Sequence, residues 1–300
     1  DFGNGLEKAE VYSGDITLSD ISPKMSLYAY FAFMFGGMLR KMACRLRPYE
    51  REAGATDRAL AESVRIGVDA FLGRRDWEEA AAAATALFEA VDISEEPRRP
   101  QVAIFGDLYV RDNRFINQNL IRFIEQNGGE VITTPYSTYA RMIAGPYFRK
   151  WFREGKYWHT FSSRALMSSV QWMERRYYRH FERVLREPEH AFRDDPGKIL
   201  AGYHLGIEHT GESMDNILKV HYIRKHFPDV ALFVQTNPAF CCPSIVTQAM
   251  SRKIEENTGV PVVSITYDGT GSFKNAKIIP YLAYPRKTGQ PWDRRIVSVR

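Results

Sequence analysis

Two adjacent cysteines, Cys241 and Cys242, stand where a run of strand-forming residues gives way to a turn and then to a helix. The stretch reads LFVQTNPAFCCPS over residues 232–244. In a parallel α/β sheet, ligands bind beyond the carboxyl end of a strand and in front of a helix N-terminus. The helix dipole favours the thiolate there, which is the form that binds metal or attacks an electrophile. Free cysteine is also a common buried small hydrophobe, so chemistry and packing both remain open.

The elements expected to position this turn alternate between strand and helix. Strands are predicted at 101–106, 130–135, 199–203, 230–235 and 260–270, and helices at 113–127, 213–226, 244–257 and 275–282. This alternation predicts an α/β, Rossmann-like fold with a mainly parallel sheet flanked by helices. Four loops would then meet at the carboxyl ends of the strands, at residues 106–113, 208–213, 237–244 and 268–275.

The first third of the chain is helical in pattern. Apolar spacing and punctuation predict helices at about 23–47, 56–71 and 76–91, and the polar segment 94–100 is a candidate linker. We therefore expect residues 1–97 to form a helical lobe, the end of a longer upstream domain, and 98–300 to form the α/β domain. A long helical insertion at about 136–187 is expected to break near Gly145-Pro146 and again at Gly155.

Composition restricts the class of protein. An apolar content of 44% is ample for a core, and three cysteines are too few for a disulfide framework, which favours a reducing, cytoplasmic compartment. The net charge of +5 is a mild excess, and the basic residues at 40–51 and 164–186 suit phosphates, an acidic partner or simply solvated helix faces. No nucleic-acid module signature occurs, and the longest apolar run, 27–39, is too short to span a bilayer.

Several polar residues in the four loops are candidates for a site. Asp107 and Arg111 could hold a ligand or each other, while His209 and Glu212 suit acid–base chemistry or a helix start. Asp268 precedes Gly-Thr-Gly, a weakly specific phosphate-cradling pattern. The ligand-binding candidates are Asp107, Arg111, Asn237, Ser244 and Asp268, and the acid–base candidates are His209 and Glu212.

The metal-ligand candidates are Cys44, Cys241 and Cys242. Tetrahedral zinc sites use paired Cys or His spacings, which this chain lacks. An iron–sulfur cluster normally takes four thiolates, so three would need an open iron, a non-cysteine ligand, a dimer partner or upstream sequence.

Four blocks carry a family resemblance: GDLYVRDN within residues 104–135, GIEHTGES, NPAFCCPS with the segment after it, and MACRLRPYEREAGATD. Over about residues 12–284 the chain resembles the carboxyl-terminal part of acyl-CoA dehydratase activase-related proteins, known as CoA-substrate-specific enzyme activases. That part is similar to the D-component of 2-hydroxyacyl-CoA dehydratase and to double-cubane cluster proteins.

The resemblance implies that cysteines of separate domains hold a 4Fe-4S or double-cubane cluster in a cleft. Cys241 matches the family's ligand position, Cys44 would be a second ligand and Cys242 a weaker third. We expect an iron–sulfur, low-potential electron-accepting module that works with an ATP-dependent activase, forms a homodimer and belongs to an anaerobic dehydratase or reductase system. The alternatives are a non-catalytic docking domain that uses helix 157–186 and a cluster-free acyl-CoA binding domain.

Overall fold

An all-parallel sheet is the frame of the molecule in the computed structural model, which describes residues 22–187, 192–209 and 211–285. The strands are β1 (Gln101–Gly106), β2 (Glu130–Ile132), β3 (Val230–Pro238) and β4 (Val262–Tyr267). The helices are α1 (Pro23–Leu46), α2 (Ala55–Phe71), α3 (Trp77–Glu89), α4 (Leu108–Asp112), α5 (Leu120–Gln126), α6 (Tyr136–Arg153), α7 (Tyr157–Leu185), α8 (Pro196–Ala201), α9 (Gly211–His226), α10 (Cys242–Ala249), α11 (Ser251–Thr258) and α12 (Ile279–Ala283). Two 3-10 turns lie at Arg47–Tyr49 and Asn275–Ile278.

Within the described residues the strand order is β2-β1-β3-β4, with every neighbouring pair parallel. The connection from β1 leads to β2 at one edge of the sheet, and the connection from β3 leads to β4 at the opposite edge. Loops diverge at such a point, so a crevice opens beyond the carboxyl ends of β1 and β3. The predicted α/β, Rossmann-like fold with a helical N-terminal region is confirmed.

The two faces of the sheet bury separate apolar clusters, because successive strand residues point to opposite sides. One face, with Ala103 and Phe105 of β1, packs against α9, α8 and part of α6. The opposite face, with Val102 and Ile104, packs against α5, α12 and Cys44 of α1. Helices α9 and α1 therefore approach the sheet from different sides.

A third core is entirely helical. It joins α1, α2 and α3 to the carboxyl-terminal part of α7, beginning at Val170. Helix α1 begins as predicted, with Ser22 Oγ accepting from the Met25 amide at 3.3 Å. The part of the predicted lobe that precedes residue 22 lies outside the described residues. The N-terminal helices are thus packed onto the long helical insertion.

Some predicted elements were wrong. Residues 199–203 are not a strand but lie in and just after α8, because Asp195 caps a helix that Pro196 begins. Helix α6 runs through the predicted break at Gly145-Pro146, where Pro146 is buried, whereas the break at Gly155 is confirmed. Two other helical predictions needed revision, since 244–257 is divided near Met250 and regular helix in 113–127 begins only at Leu120.

In the described parts of the chain, no helix combines the length and the apolarity that crossing a bilayer requires.

Candidate functional site

The crevice beyond β1 and β3 receives one side chain from each of three elements. Asp107 follows β1, Glu212 lies in the first turn of α9, and Cys241 is the residue before α10. All three are half-buried. Their convergence follows from the topology, because parallel strands place their carboxyl ends at one edge.

A tight turn at Gly106 brings Asp107 to this position. Gly106 has φ +115°, and a β-carbon on it would lie 2.3 Å from the carbonyl oxygen of Thr236 on β3, so only glycine fits. Asp107 then caps α4, with Oδ1 accepting from the amides of Tyr109 and Val110 at 3.0 and 2.8 Å. Those two bonds fix the carboxylate and leave Oδ2 available to a ligand.

A second bend positions Cys241. Phe240 has φ +63° and its side chain is 95% exposed. A left-handed backbone at a non-glycine residue is strained by about 1 kcal/mol or more and gathers at functional sites. Cys241 is the N-cap residue of α10, where the helix dipole stabilises a negatively charged ligand.

The site concentrates negative charge. Burial raises the pKa of the Glu212 carboxyl, and the neighbouring Asp107 carboxylate raises it further. Glu212 Oε1 accepts one long hydrogen bond, 3.4 Å from the Leu108 amide. Burial also raises the pKa of the Tyr136 hydroxyl at the same edge of the sheet, and the negative charges of Glu212 and Asp215 raise it further. A cation would relieve this repulsion between carboxylates.

These three side chains form the one group of three ligand-type residues found in the described part of the chain. One atom each from Asp107, Glu212 and Cys241 lies within 4.8 Å of the other two. One thiolate sulfur with two carboxylate oxygens is a donor set for a borderline divalent metal such as iron or zinc. The arrangement is therefore a candidate metal site with coordination positions open to the crevice.

Asn216 connects the elements that carry the three ligands. Its Oδ1 accepts from the Gly106 amide at the end of β1, and its Nδ2 donates to Thr247 Oγ1 on α10, both at 3.2 Å. Asn216 itself belongs to α9, one turn beyond Glu212, and is 1% exposed. A single buried amide thus holds β1, α9 and α10 in register.

A buried ion pair lies on the same helix. Lys219 donates to Asp215, and both side chains have no exposed surface. Burial lowers the pKa of the Lys219 ammonium, while Asp215 opposes that change. The other oxygen of Asp215, Oδ1, has no hydrogen-bond partner among the described residues. This pair adds fixed charges behind the candidate metal site.

A cleft of about 770 Å³ opens beside Asp107 and Glu212. Its walls come from α1, α2, α4, α6 and the segment between β2 and α6, and include the apolar side chains of Phe33, Leu39 and Val64. Arg40 at the cleft forms an ion pair with Asp112. The volume lies within the range of small-molecule sites.

The other two cysteines are not in the ligand group. Cys44 is 1% exposed and packs on the sheet face opposite α9. Burial raises the pKa of its thiol to about 12, and the Glu125 carboxylate raises it too. Cys242 begins α10 and is exposed. The structure brings Cys241 to carboxylates and not to Cys44, whose role as a ligand stays a prediction of the resemblance.

The remaining predicted site residues mostly support the local structure. Arg111 is 1% exposed, pairs with Asp112 at 3.3 Å and donates to Thr134 rather than binding Asp107. Asn237 is buried between Gln235 and Ser264, its hydrogen-bond partners.

Ser244 is also buried, and its Oγ lacks a partner among the described residues. Asp268 is fixed by Thr270 and Lys274, whose hydrogen bonds hold the pKa of its carboxyl well below the usual range. His209 is half-buried, and its Nε2 is enclosed without a hydrogen-bond partner in the described structure. None of these three belongs to the ligand group.

Sequence reasoning missed Asn216, Lys219 and Arg40. Asn216 and Lys219 lie on α9, which is buried almost all around, so its polar residues carry no periodic signal. Arg40 belongs to the basic stretch 40–51, for which a solvated helix face was one of the interpretations. Only the packing of α1 over the sheet edge shows that Arg40 borders the cleft.

The fold is that of an α/β protein, and the switch point of its sheet carries a candidate metal site with one sulfur and two carboxylate donors. Comparisons with models of protein families, with curated proteins and with solved structures find no match to the chain.

Proposed function

We propose that this chain carries iron at the carboxyl edge of its sheet and accepts electrons there. Cys241 would be the thiolate ligand, with Asp107 and Glu212 as oxygen ligands. The observation that carries the proposal is the convergence of these three side chains, within 4.8 Å of one another, from three separate elements. The family resemblance of the sequence favours iron over other metals that accept the same donors.

The geometry is close to what a single ion requires. Ligand bonds of about 2.0–2.3 Å in a tetrahedral site place donor atoms roughly 3.5 Å apart. Closing the group from 4.8 Å to that separation needs movements of about 1 Å, which the half-exposed side chains of Cys241 and Glu212 permit. When bound, iron supplies a one-electron redox couple.

A cluster held by all three cysteines of one chain does not fit this arrangement. Cys44 would have to leave an apolar core on the opposite face of the sheet. An iron–sulfur cluster at this site would use Cys241 as one corner and take further ligands from Cys242, from non-cysteine side chains or from outside the described residues. In either case Asp107 and Glu212 border the metal, and the crevice admits the electron donor, for which the resemblance favours an ATP-dependent activase.

Iron content of protein purified without oxygen tests the proposal. We expect stoichiometric iron in the wild type, and a loss of at least ten-fold in iron affinity for Cys241→Ala, with similar losses for Asp107→Asn and Glu212→Gln. Cys242→Ala is the matched control, because Cys242 is adjacent but outside the ligand group. Equal iron in Cys241→Ala and wild type, or equal loss in Cys242→Ala, would contradict the assignment.

The cleft favours a second function, a metal-free acyl-CoA binding domain. Its apolar walls suit an acyl chain, and Arg40 could meet a phosphate if it released Asp112. Short-chain acyl-CoA should then raise the unfolding temperature of iron-free protein. An unchanged temperature at millimolar acyl-CoA would remove this second function and leave the iron proposal untouched.

A further inference from the structure

The amino-terminal half of α7 extends beyond the helical core. From Val170 onward the helix packs with α1 and α3, and Arg176 and Arg183 pair with Glu78 and Glu89 of α3. Before Val170 the helix packs against α6, and most of its described side chains are exposed. The outward side of that half carries Trp158, which is 77% exposed, Phe161, 70% exposed, and Trp172, 62% exposed, the last just beyond Val170.

These residues follow the spacing of a helix–helix seam. Positions 158, 161, 165, 168 and 172 recur at alternating intervals of three and four, and they read Trp, Phe, Ala, Ser, Trp. None of the five is charged, although the helix is rich in arginine. A surface that binds lipid headgroups or nucleic acid would place its arginines along this line instead.

The seam has large residues at its ends and small ones in its middle. Ala165, Ser168 and Ser169 are exposed and would let another helix approach closely. Ser169 Oγ already donates to the Ala165 carbonyl at 3.0 Å, and Ser162 Oγ donates to the Trp158 carbonyl at 2.9 Å. Because these hydroxyls bond to their own helix, excluding water from them costs little.

The apolar area is that of an interface. An aromatic side chain offers about 150–250 Å² of surface. Phe152, Tyr157, Trp158, Phe161 and Trp172 are each at least 60% exposed and together present about 650 Å². A stable dimer buries about 800 Å² on each partner, so these side chains supply most of the area that one partner would contribute.

We propose that α7 pairs with α7 of a second copy of this chain, antiparallel and crossing at Ala165. In that register Phe161 lies over the partner's Ser169, and Trp158 lies beside the partner's Trp172. Large side chains thus meet small ones at the centre and each other at the ends, so the surface is complementary to itself under a two-fold axis. The pairing is independent of the metal site and of its proposed function.

Sedimentation equilibrium of the full chain tests the proposal. The wild type should sediment at twice the chain mass of 34.5 kDa in the micromolar range. Phe161→Glu should raise the dissociation constant at least 100-fold, and Trp158→Ser should act in the same direction if the first variant does not fold. Leu72→Glu is the matched control, because Leu72 is 59% exposed but lies at the end of α2, away from the seam.

Cross-linking tests the crossing point. In a chain with Cys241 and Cys242 both replaced by Ser, Ala165→Cys should form a disulfide-linked dimer on oxidation, whereas Leu166→Cys, about 100° around the helix, should not. A wild type that is monomeric at 100 µM, or that dimerises equally with Phe161→Glu, overturns the proposal. Binding of a monomer to phosphatidylserine vesicles would assign the face to a membrane surface and also overturn it.

Discussion

Cys44 and Cys241 show how the same side chain acquires opposite chemistry from its surroundings. Cys44 is enclosed by apolar residues of the sheet and of α5, and burial keeps its thiol protonated, with a pKa of about 12. Cys241 lies at a helix N-terminus facing two carboxylates. The two cysteines are hard to distinguish from the sequence alone, because Cys44 is followed by arginines in CRLRPYE and nearby positive charge stabilises a thiolate.

The burial of Cys44 predicts a pattern of alkylation. In the folded, iron-free protein between pH 7 and 9, iodoacetamide should modify Cys241 and Cys242 but modify Cys44 at least 100-fold more slowly. Denaturation should equalise all three, since an unfolded thiol has a pKa of about 8.5. Peptide mass spectrometry over time measures each rate. Fast native labelling of Cys44 would show that α1 opens away from the sheet and would restore Cys44 as a candidate ligand.

The raised pKa of Cys44 also makes the stability of the folded state depend on pH. Between about pH 8.5 and 12 the unfolded thiol loses its proton while the folded one keeps it. The native state then binds more protons than the unfolded state, so this group's contribution to stability falls as pH rises. Alkylation of Cys44 should therefore accelerate above pH 9 through unfolding as well as through ionisation.

At the scale of elements, the strands around the site were the predictable part. The apolar runs in the predicted strands 101–106 and 230–235 are short, bounded by turn residues and buried on both faces, which is typical of parallel strands, although the second strand continues to Pro238. Because parallel strands end at one shared edge, the sequence predicts that Asp107 and Cys241 lie close together. The third residue of the group, Glu212 on α9, was harder to predict, because a glutamate in that sequence suits a helix start as well as a ligand site.

The elements that were missed depended on tertiary packing. Helix α6 continues through Pro146 although proline in a helix interior is disfavoured by about 3 kcal/mol, since packing against its neighbours holds it. The segment 199–203 is apolar enough for a strand, yet Asp195 and Pro196 make a better helix start. Asn216 gave no local signal, because its two partners lie 110 and 31 residues away in sequence.

The connecting role of Asn216 predicts a coupled loss of stability and metal affinity. Asn216→Leu leaves the buried Gly106 amide without an acceptor and should lower the free energy of unfolding by about 1–3 kcal/mol. Because the three ligand-bearing elements lose their common link, iron affinity should fall by about 10–100-fold. Urea unfolding and metal titration measure the two effects.

Asn275→Leu is the matched control for that variant. Asn275 is also fully buried and hydrogen-bonded, to Asn117, Gln118 and Tyr267, but lies away from the ligand group. Its replacement should cost similar stability and leave iron affinity within two-fold of the wild type. Equal loss of iron affinity in both variants would mean that general destabilisation, and not the Asn216 link, explains the effect.

At the scale of the whole molecule, charged and polar contacts join the N-terminal helices to the sheet. Glu130 of β2 is 2% exposed and accepts from Arg45 at 3.0 Å and from Tyr49 at 2.8 Å. Glu125 of α5 is 7% exposed and accepts from Arg47 at 2.7 Å. Removing the helices would take Arg45 and Tyr49 from Glu130 and Arg47 from Glu125, leaving, among the described residues, only Arg98 and Arg122 to pair with these carboxylates, which is destabilising where they stay buried.

This dependence predicts that the chain unfolds as one unit, although its sequence suggests a separate helical lobe and an α/β domain. Calorimetry of the full chain should give a single transition with equal calorimetric and van't Hoff enthalpies. A fragment of residues 98–300 should not fold cooperatively, because α7 loses α1 and α3 from its core and Glu125 and Glu130 lose the partners that the N-terminal helices supply, keeping only Arg122 and Arg98 of those described. Two separate transitions in the full chain, or a cooperatively folded fragment, would show instead that the N-terminal helices form an autonomous domain.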